Sequence, residues 1–297
     1  MSTEAYRFPV PSVPDRWRTV VLLVPLLVLD VGIFLVPMGY LFRLSFAAPT
    51  ARGAFAEGSW SVAGYRYVAD TGLVHQVFGF TVVFGLLVTV LAVTIGVVYA
   101  YAAWRADGAV RALLLSVAVL SLFTTLVVKL FAVLLVFAPQ GVLNGLLTAS
   151  GVVPEPLLLV DNLVGAVLGQ LYIVAPYAIL ATYAVLSALD EQLVEAARDL
   201  GAGEWGAFRE VVLPHVRPGV AVATVVSFTW SVGAYAAPLL LGSGSEQTTG
   251  ILISELLLSQ FDWPAAAALA VVTVTLVFAA LSVTLLRVDG DGGLLDA

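Results

Sequence analysis

Two groups of residues in this 297-residue sequence have types and spacings that can do work. The first is the stretch DEQLVEAARDLGAGEWGAFREVVLPHVRPG, which begins at Asp190 and carries Glu195, Arg198, Asp199, Glu204, Arg209 and Glu210 among small and apolar residues. Such a mixed-sign surface suits a protein partner better than an anionic bilayer, which attracts Lys and Arg. The second group lies inside apolar runs: Asp30, Lys129, Tyr172, Trp230 and Tyr235. Charge at membrane depth is expensive unless it meets protein, water or a passing solute, and aromatic faces can hold a cation. The pairings of hydrolytic chemistry are missing. There is no cysteine and no HExxH pair, His75 and His215 are expected on opposite sides of the membrane, and Ser243 sits in GSGS with no plausible base nearby.

The elements that must position these residues follow from composition. Hydrophobic residues make up 61% of the chain and charged residues 11%, against about 25% charged in a soluble domain. The excess apolar surface must face lipid, which excludes a soluble enzyme, a disordered chain and a disulfide scaffold. The net charge is −7, and Lys129 is the only lysine among 13 basic residues.

A helix needs about 20 apolar residues to cross the hydrocarbon. Six runs qualify: Thr19–Tyr40, Val77–Ala103, Ala112–Phe137, Leu163–Leu189, Val216–Leu241 and Ala265–Leu286. The fold class read from them is all-α, a polytopic membrane protein with six transmembrane helices. With both termini inside, Arg7, Arg16, Arg18, Arg105, Arg111, Arg198, Arg209, Arg217 and Arg287 are cytoplasmic and Arg43, Arg52 and Arg66 external, the asymmetry that sets topology. The chain then divides into an N-terminal tail (1–18), a first span with its external loop (19–75), a core (76–286) containing the cytoplasmic loop 190–215, and an acidic tail (287–297). The first run is read as a mature span, since it is long for a signal peptide and no small-residue cleavage site follows it.

The loop reads as two short helices. Asp190 caps the first, Leu193, Ala196, Ala197 and Leu200 fall at helical spacing, and Gly201 supplies the left-handed stop. Trp205, Phe208, Val211 and Val212 share a face of the second, which Pro214 ends. A helical pair between two spans either packs on the inner leaflet or docks a soluble partner.

The run EAARDLG, nine further residues and then VVLP resembles the EAA loop of type I ABC-importer permeases, with the match carried by Glu195, Ala196, Ala197, Gly201, Leu213 and Pro214. Val211 stands where that family usually has isoleucine. GVLNGLLTASG, SVGAYAAPLLLGSGS and FDWPAAAALA are similar to the branch that imports spermidine and putrescine. The resemblance implies a multi-pass cell-membrane permease whose partners are a cytoplasmic ABC ATPase dimer, a second permease (sister or identical) and an external solute-binding protein. It implies coupling through the EAA loop and a small solute, a polyamine before ferric iron, thiamine, sulfate or sugar. No cofactor is expected in this chain, which has no GKS or GKT loop, so ATP is hydrolysed by a partner and the chain is not an enzyme. An ATP-independent carrier or channel explains the spans equally but not the loop.

Within the spans, Asp30 is expected to face protein or water, either tied to a neighbouring span by Tyr or Ser hydroxyls or lining the solute path and attracting a cationic amine, and Lys129 either to snorkel to the outer surface or to line that path, pairing with Asp30. Tyr172, Trp230 and Tyr235 either pack between helices or line that path. Pro37, Pro176 and Pro238 are expected to kink or end spans, and Trp17, Trp104 and Trp263 to anchor span ends at the interface.

Overall fold

The computed structural model describes the backbone of residues 15–50 and 54–290 and the side chains of residues 23–50 and 54–282. Expectations for the two tails, Trp17, Arg7, Arg16, Arg18, Arg52 and Arg287 lie outside the residues or side chains so described.

The regular elements among the described residues are helices, apart from one isolated β-bridge. The first span is α1 (Asp15–Asp30), a π-helical turn at Val31–Leu35 and α2 (Val36–Leu44). A compact loop follows, closed by the bridge Ala48↔Ala56 and by Arg43, whose guanidinium lies 4.0 Å over the Trp60 ring and donates to the Ser59 carbonyl at 2.6 Å. Short α3 (Ala63–Asp70) leads into α4 (Gly72–Arg105), then α5 (Gly108–Phe123), α6 (Leu126–Phe137), α7 (Val142–Ala149) and α8 (Leu163–Leu186). After them come α9 (Glu191–Asp199) and α10 (Glu204–Ala207), which runs through a second π-turn, Phe208–Val212, into α11 (Leu213–His215). The chain ends with α12 (Arg217–Val232), α13 (Ala236–Leu241), α14 (Thr249–Leu258) and α15 (Trp263–Gly290).

Five helical segments are long and apolar enough to cross a membrane, and a sixth if Glu204–His215 and Arg217–Val232, bent by 67°, count as one. Two expected spans are not continuous. The run Ala112–Phe137 breaks at Thr124–Thr125, where both residues are extended and the Thr124 hydroxyl bonds back to the Leu120 carbonyl at 3.2 Å, a competition with helical bonding typical of threonine. The span-length unit there is Leu126–Ala149. The run Val216–Leu241 breaks at Gly233–Tyr235, and α14 was not anticipated.

The prolines explain three irregularities. A proline has no N–H and its ring collides with the carbonyl four residues back. Both π-turns end two residues before a proline, at Pro37 and Pro214, and Val36 N–H and Leu213 N–H reach five residues back, to Val31 and Phe208. The widened turn makes room for the ring, so Pro214 continues the loop helix to His215 instead of ending it. Pro238 has no N–H for the Ala234 carbonyl, and the helix is interrupted there. Pro176, by contrast, sits inside an uninterrupted α8.

The core is the trio α4, α8 and α12, joined by Phe84, Val88, Ala92, Val174, Ala178 and Ala223. Lipid cannot drive helices together hydrophobically, so close approach through small residues matters more. A Cβ on Gly96 would stand 2.9 Å from the Ala178 backbone, and one on Gly219 2.8 Å from the Ala181 carbonyl oxygen. Around this trio, α13 packs on α8, α14 on α15 and α4, and α3 and α2 on α15. Gly96→Leu must push α4 from α8, and overpacking of this kind costs about 1–3 kcal/mol. The purified variant should melt several degrees lower in detergent, whereas Gly79→Leu, with open space at its Cβ, should melt as the parent does.

Candidate functional site

The loop 190–215 is built onto one end of the bundle. The Asp190 carboxylate caps α9 by accepting from Gln192 N–H at 3.0 Å. At the other end Gly201 has φ +93°, Ala202 N–H reaches Ala197 O at 3.0 Å and Gly201 N–H reaches Arg198 O at 2.8 Å, the bond pair of a Schellman stop. Nothing lies within 4 Å of a Cβ at Gly201, so backbone conformation alone calls for glycine there. The ion pair Arg198–Glu204, 3.0 Å, spans the turn, but exposed pairs contribute little.

Burial divides α9 into two faces. Its buried residue is Val194, 1% exposed, which packs with Leu186 and Leu189 from the end of α8, Trp104 and Ala100 from the end of α4, and Ala207, Val212 and Val216. Ala197 supports that cluster, while Leu193, Ala196 and Leu200 point away from it, with Leu200 90% exposed. Glu195 is exposed beside them. Spacings of three and four place Leu193, Ala196 and Leu200 on one stripe, which no part of the described chain covers. Trp104 is therefore a buried packing residue, not an interfacial anchor. On the second loop helix, Phe208 sits between Tyr101 (5.0 Å, edge-on) and Trp205 (5.5 Å, stacked), with Trp205 largely exposed and Leu213 and Pro214 partly so.

The second candidate region is the break between α12 and α13. A helix end leaves carbonyls without partners, and four of those around this break are claimed. Gly233 N–H returns to Thr229 O and Ala234 N–H to Ser231 O, while Gln170 of α8, 2% exposed, donates its side-chain amide to Trp230 O at 3.1 Å. The Ala234 carbonyl accepts the buried Thr248 hydroxyl at 2.6 Å. The next residue, Thr249, donates its N–H to Thr81 Oγ1 of α4 at 2.9 Å. Between these elements lies a cavity of about 140 Å³ lined by Leu126, Gln170, Ile173, Trp230 and Tyr235 among others.

The structure thus brings Trp230 and Tyr235 to one cavity. It pairs Lys129 with Tyr172: the lysine is 4% exposed and its ammonium lies 5.7 Å over the tyrosine ring. Lys129 does not snorkel, because α6 begins at Leu126 and directs it against α8. It does not pair with Asp30 either. Asp30 lies on a first span with no buried residue in its apolar window, and neither residue has an ion-pair partner among the described residues. Sequence reasoning missed Gln170, although it is the one amide in the run Leu163–Leu189 and a polar residue there signals interhelical bonding. It also missed Asn144, 1% exposed, which ties α7 to the chain beyond it through Leu157 N–H (2.7 Å) and Leu157 O (3.0 Å).

Just past α13, burial raises the Glu246 carboxyl, but hydrogen bonds from the Ser243 hydroxyl and N–H, the Ser245 hydroxyl and its own N–H outweigh this and hold it below the ordinary value. A lowered folded value means stabilisation present above the unfolded carboxylate range and lost as pH falls through the folded value. The melting temperature of the purified protein should therefore drop on acidification, and Glu246→Gln should flatten that dependence in the acid range.

Residues 92–288 match the family described as binding-protein-dependent transport system inner membrane component. The spermidine/putrescine transport system permease protein PotB of Haemophilus influenzae is 28% identical over 186 residues, covering 62% of this chain and 65% of that protein. PotB of Escherichia coli is 25% identical over 224 residues, 75% of this chain and 81% of its own. A crystal structure of a bacterial ABC transporter involved in the import of the acidic polysaccharide alginate contains a chain of the same fold, with a TM-score of 0.75 at 15% identity, over 94% of this chain and 97% of that one. The chain belongs to the binding-protein-dependent transport system inner membrane component family, the ABC-importer permeases that its EAARDLG loop resembles.

Proposed function

We propose that this chain is the membrane-spanning permease of an ABC importer, coupled to a separate ATPase through the loop 190–215. The observation that carries the coupling reading is the bared stripe Leu193, Ala196 and Leu200, held on a helix whose opposite side is locked to the ends of α4 and α8 by Val194. A push on this stripe passes directly into the core helices. Glu195, Ala196, Ala197, Gly201, Leu213 and Pro214 shape the docking element, and Gly201 sets the direction in which α9 leaves the turn. The loop shares its end of the bundle with Arg105, Arg111, Arg209 and Arg217 near the ends of α4, α5, the loop helix and α12. That clustering supports a cytoplasmic location for this end and for both termini.

The solute path runs through the cavity at the α12–α13 break, with Trp230 and Tyr235 on its wall. The cargo is a small amine, a polyamine such as spermidine or putrescine, a reading supported by the PotB relatives and by aromatic faces suited to cations. The remaining partners are a second permease subunit and an external solute-binding protein, the latter supported by a solved alginate transporter in complex with its periplasmic protein.

Purification of the tagged protein in mild detergent from its own cells should bring an ATPase with it. Leu193→Asp with Leu200→Asp should abolish that co-purification without changing the melting temperature; retention of the ATPase would overturn the docking face. Gly201→Ala should cost about 1 kcal/mol through φ alone. Gly201→Trp should remain inserted while solute uptake separates from ATP hydrolysis, and unchanged uptake would remove Gly201 from the coupling element.

A further inference from the structure

An apolar groove of about 670 Å³ lies where the loop helix meets the spans. Val93, Val97 and Tyr101 of α4 line it together with Trp205 and Phe208 of the loop helix and Val220 of α12. The loop helix is bent by 67° from α12, and the groove occupies the angle between them. Its α4 residues belong to a span, so the medium beside it is lipid, and Tyr101 and Trp205 are of the amphipathic type that sits at headgroup level. A helix 10 Å across and rising 5.4 Å a turn would fill this volume in roughly one and a half turns. The groove therefore has no room for a partner's span, but it accommodates an acyl chain. Both apolar stripes end on an arginine. Val93, Val97 and Tyr101 are spaced by four and the next step is Arg105, while Arg209 follows Trp205 at the same interval. Both arginines are exposed, and among the described residues neither has a hydrogen bond or an ion pair. Glu204, which also lines the groove, is already paired with Arg198 at 3.0 Å.

We propose that the groove seats one anionic phospholipid of the leaflet on the loop's side, an acyl chain lying along Val93, Val97 and Val220 and the phosphate held by Arg105 and Arg209. Guanidinium groups match phosphate oxygens two at a time. Two of them against one phosphodiester favour a headgroup without a compensating cation, hence phosphatidylglycerol over phosphatidylcholine. The seated lipid braces the loop helix against α4 and α12. Its bearing on transport rests on the coupling reading above; the binding itself does not.

The test incubates the full-length protein, purified in mild detergent, with phosphatidylglycerol or phosphatidylcholine and weighs it by native mass spectrometry. The parent should retain one phosphatidylglycerol and melt higher with that lipid than with phosphatidylcholine. Arg105→Gln with Arg209→Gln should weaken phosphatidylglycerol binding about thirtyfold, the effect of removing two cations at a membrane surface. Val97→Trp, which fills the groove, should lose both the lipid and the melting shift, whereas Val83→Trp, exposed on α4 outside the groove, should keep both. If the double arginine variant does not insert, Val97→Trp decides. A parent that retains no phosphatidylglycerol, or retains phosphatidylcholine equally well, would overturn the proposal. So would parental binding by either the double arginine variant or Val97→Trp. If the parent keeps no lipid and Val97→Trp detaches it from a second permease, the groove is a contact between subunits and the lipid seat falls. Failure of an ATPase to co-purify removes the coupling reading and leaves these binding results standing, so the two failures are distinct.

Discussion

The constraint on which the rest of this structure depends is that a backbone polar group within a bilayer must find a partner inside the protein. A straight helix meets it without help. At several places where this chain stops being a straight helix, something else supplies the bond. The two π-turns shift the bonding register ahead of Pro37 and Pro214. At Gly233–Tyr235 the substitutes are the Gln170 amide and the Thr248 hydroxyl. These two side chains come from different elements, so the opening between α12 and α13 exists only when α8 and the chain after α13 are both in place. The cavity is a product of tertiary structure, not of any one segment.

The same logic connects the cavity to the loop at the far end. α8 carries Gln170 near its start and Leu186 at its end, and α12 begins directly after the cluster that buries Val194 and ends at the cavity. Gly219 and Gly96 bring both neighbours to within backbone contact of α8. Interiors packed this closely do not deform smoothly. The cluster around Val194 ties α9 to the ends of α4 and α8, and α8 and α12 lead from there to the carbonyl partners at the α12–α13 break.

Hydropathy made the apolar runs legible, because the length a bilayer demands is a one-dimensional quantity, and the EAARDLG and VVLP spacing made the family legible. The breaks were not, because an apolar run broken at Thr124–Thr125 has the same composition as an unbroken one. Pro238 marked an interruption but not its cap, which comes from a threonine ten residues later. The packed face of α9 was not legible for a related reason. Leu193, Ala196, Ala197 and Leu200 have the spacing of a buried stripe, and the chain instead buries Val194 and leaves the larger apolar residues bare. Periodicity identifies an apolar stripe; it does not say whether this chain or another one covers it.

Asp30 and Lys129 show the same ambiguity in charge. The sequence leaves open whether the two pair. Lys129 is enclosed by α6 and α8, whereas Asp30 lies on a span whose apolar window is bare throughout. A carboxylate on such a surface requires water or another polypeptide beside it, since lipid offers no donor. The first span touches the rest of the described chain mainly where α2 meets α15, so its outer side is available for that second polypeptide. A second polypeptide against the first span would supply one without any change in this chain, and the carboxylate then reads as a contact between chains.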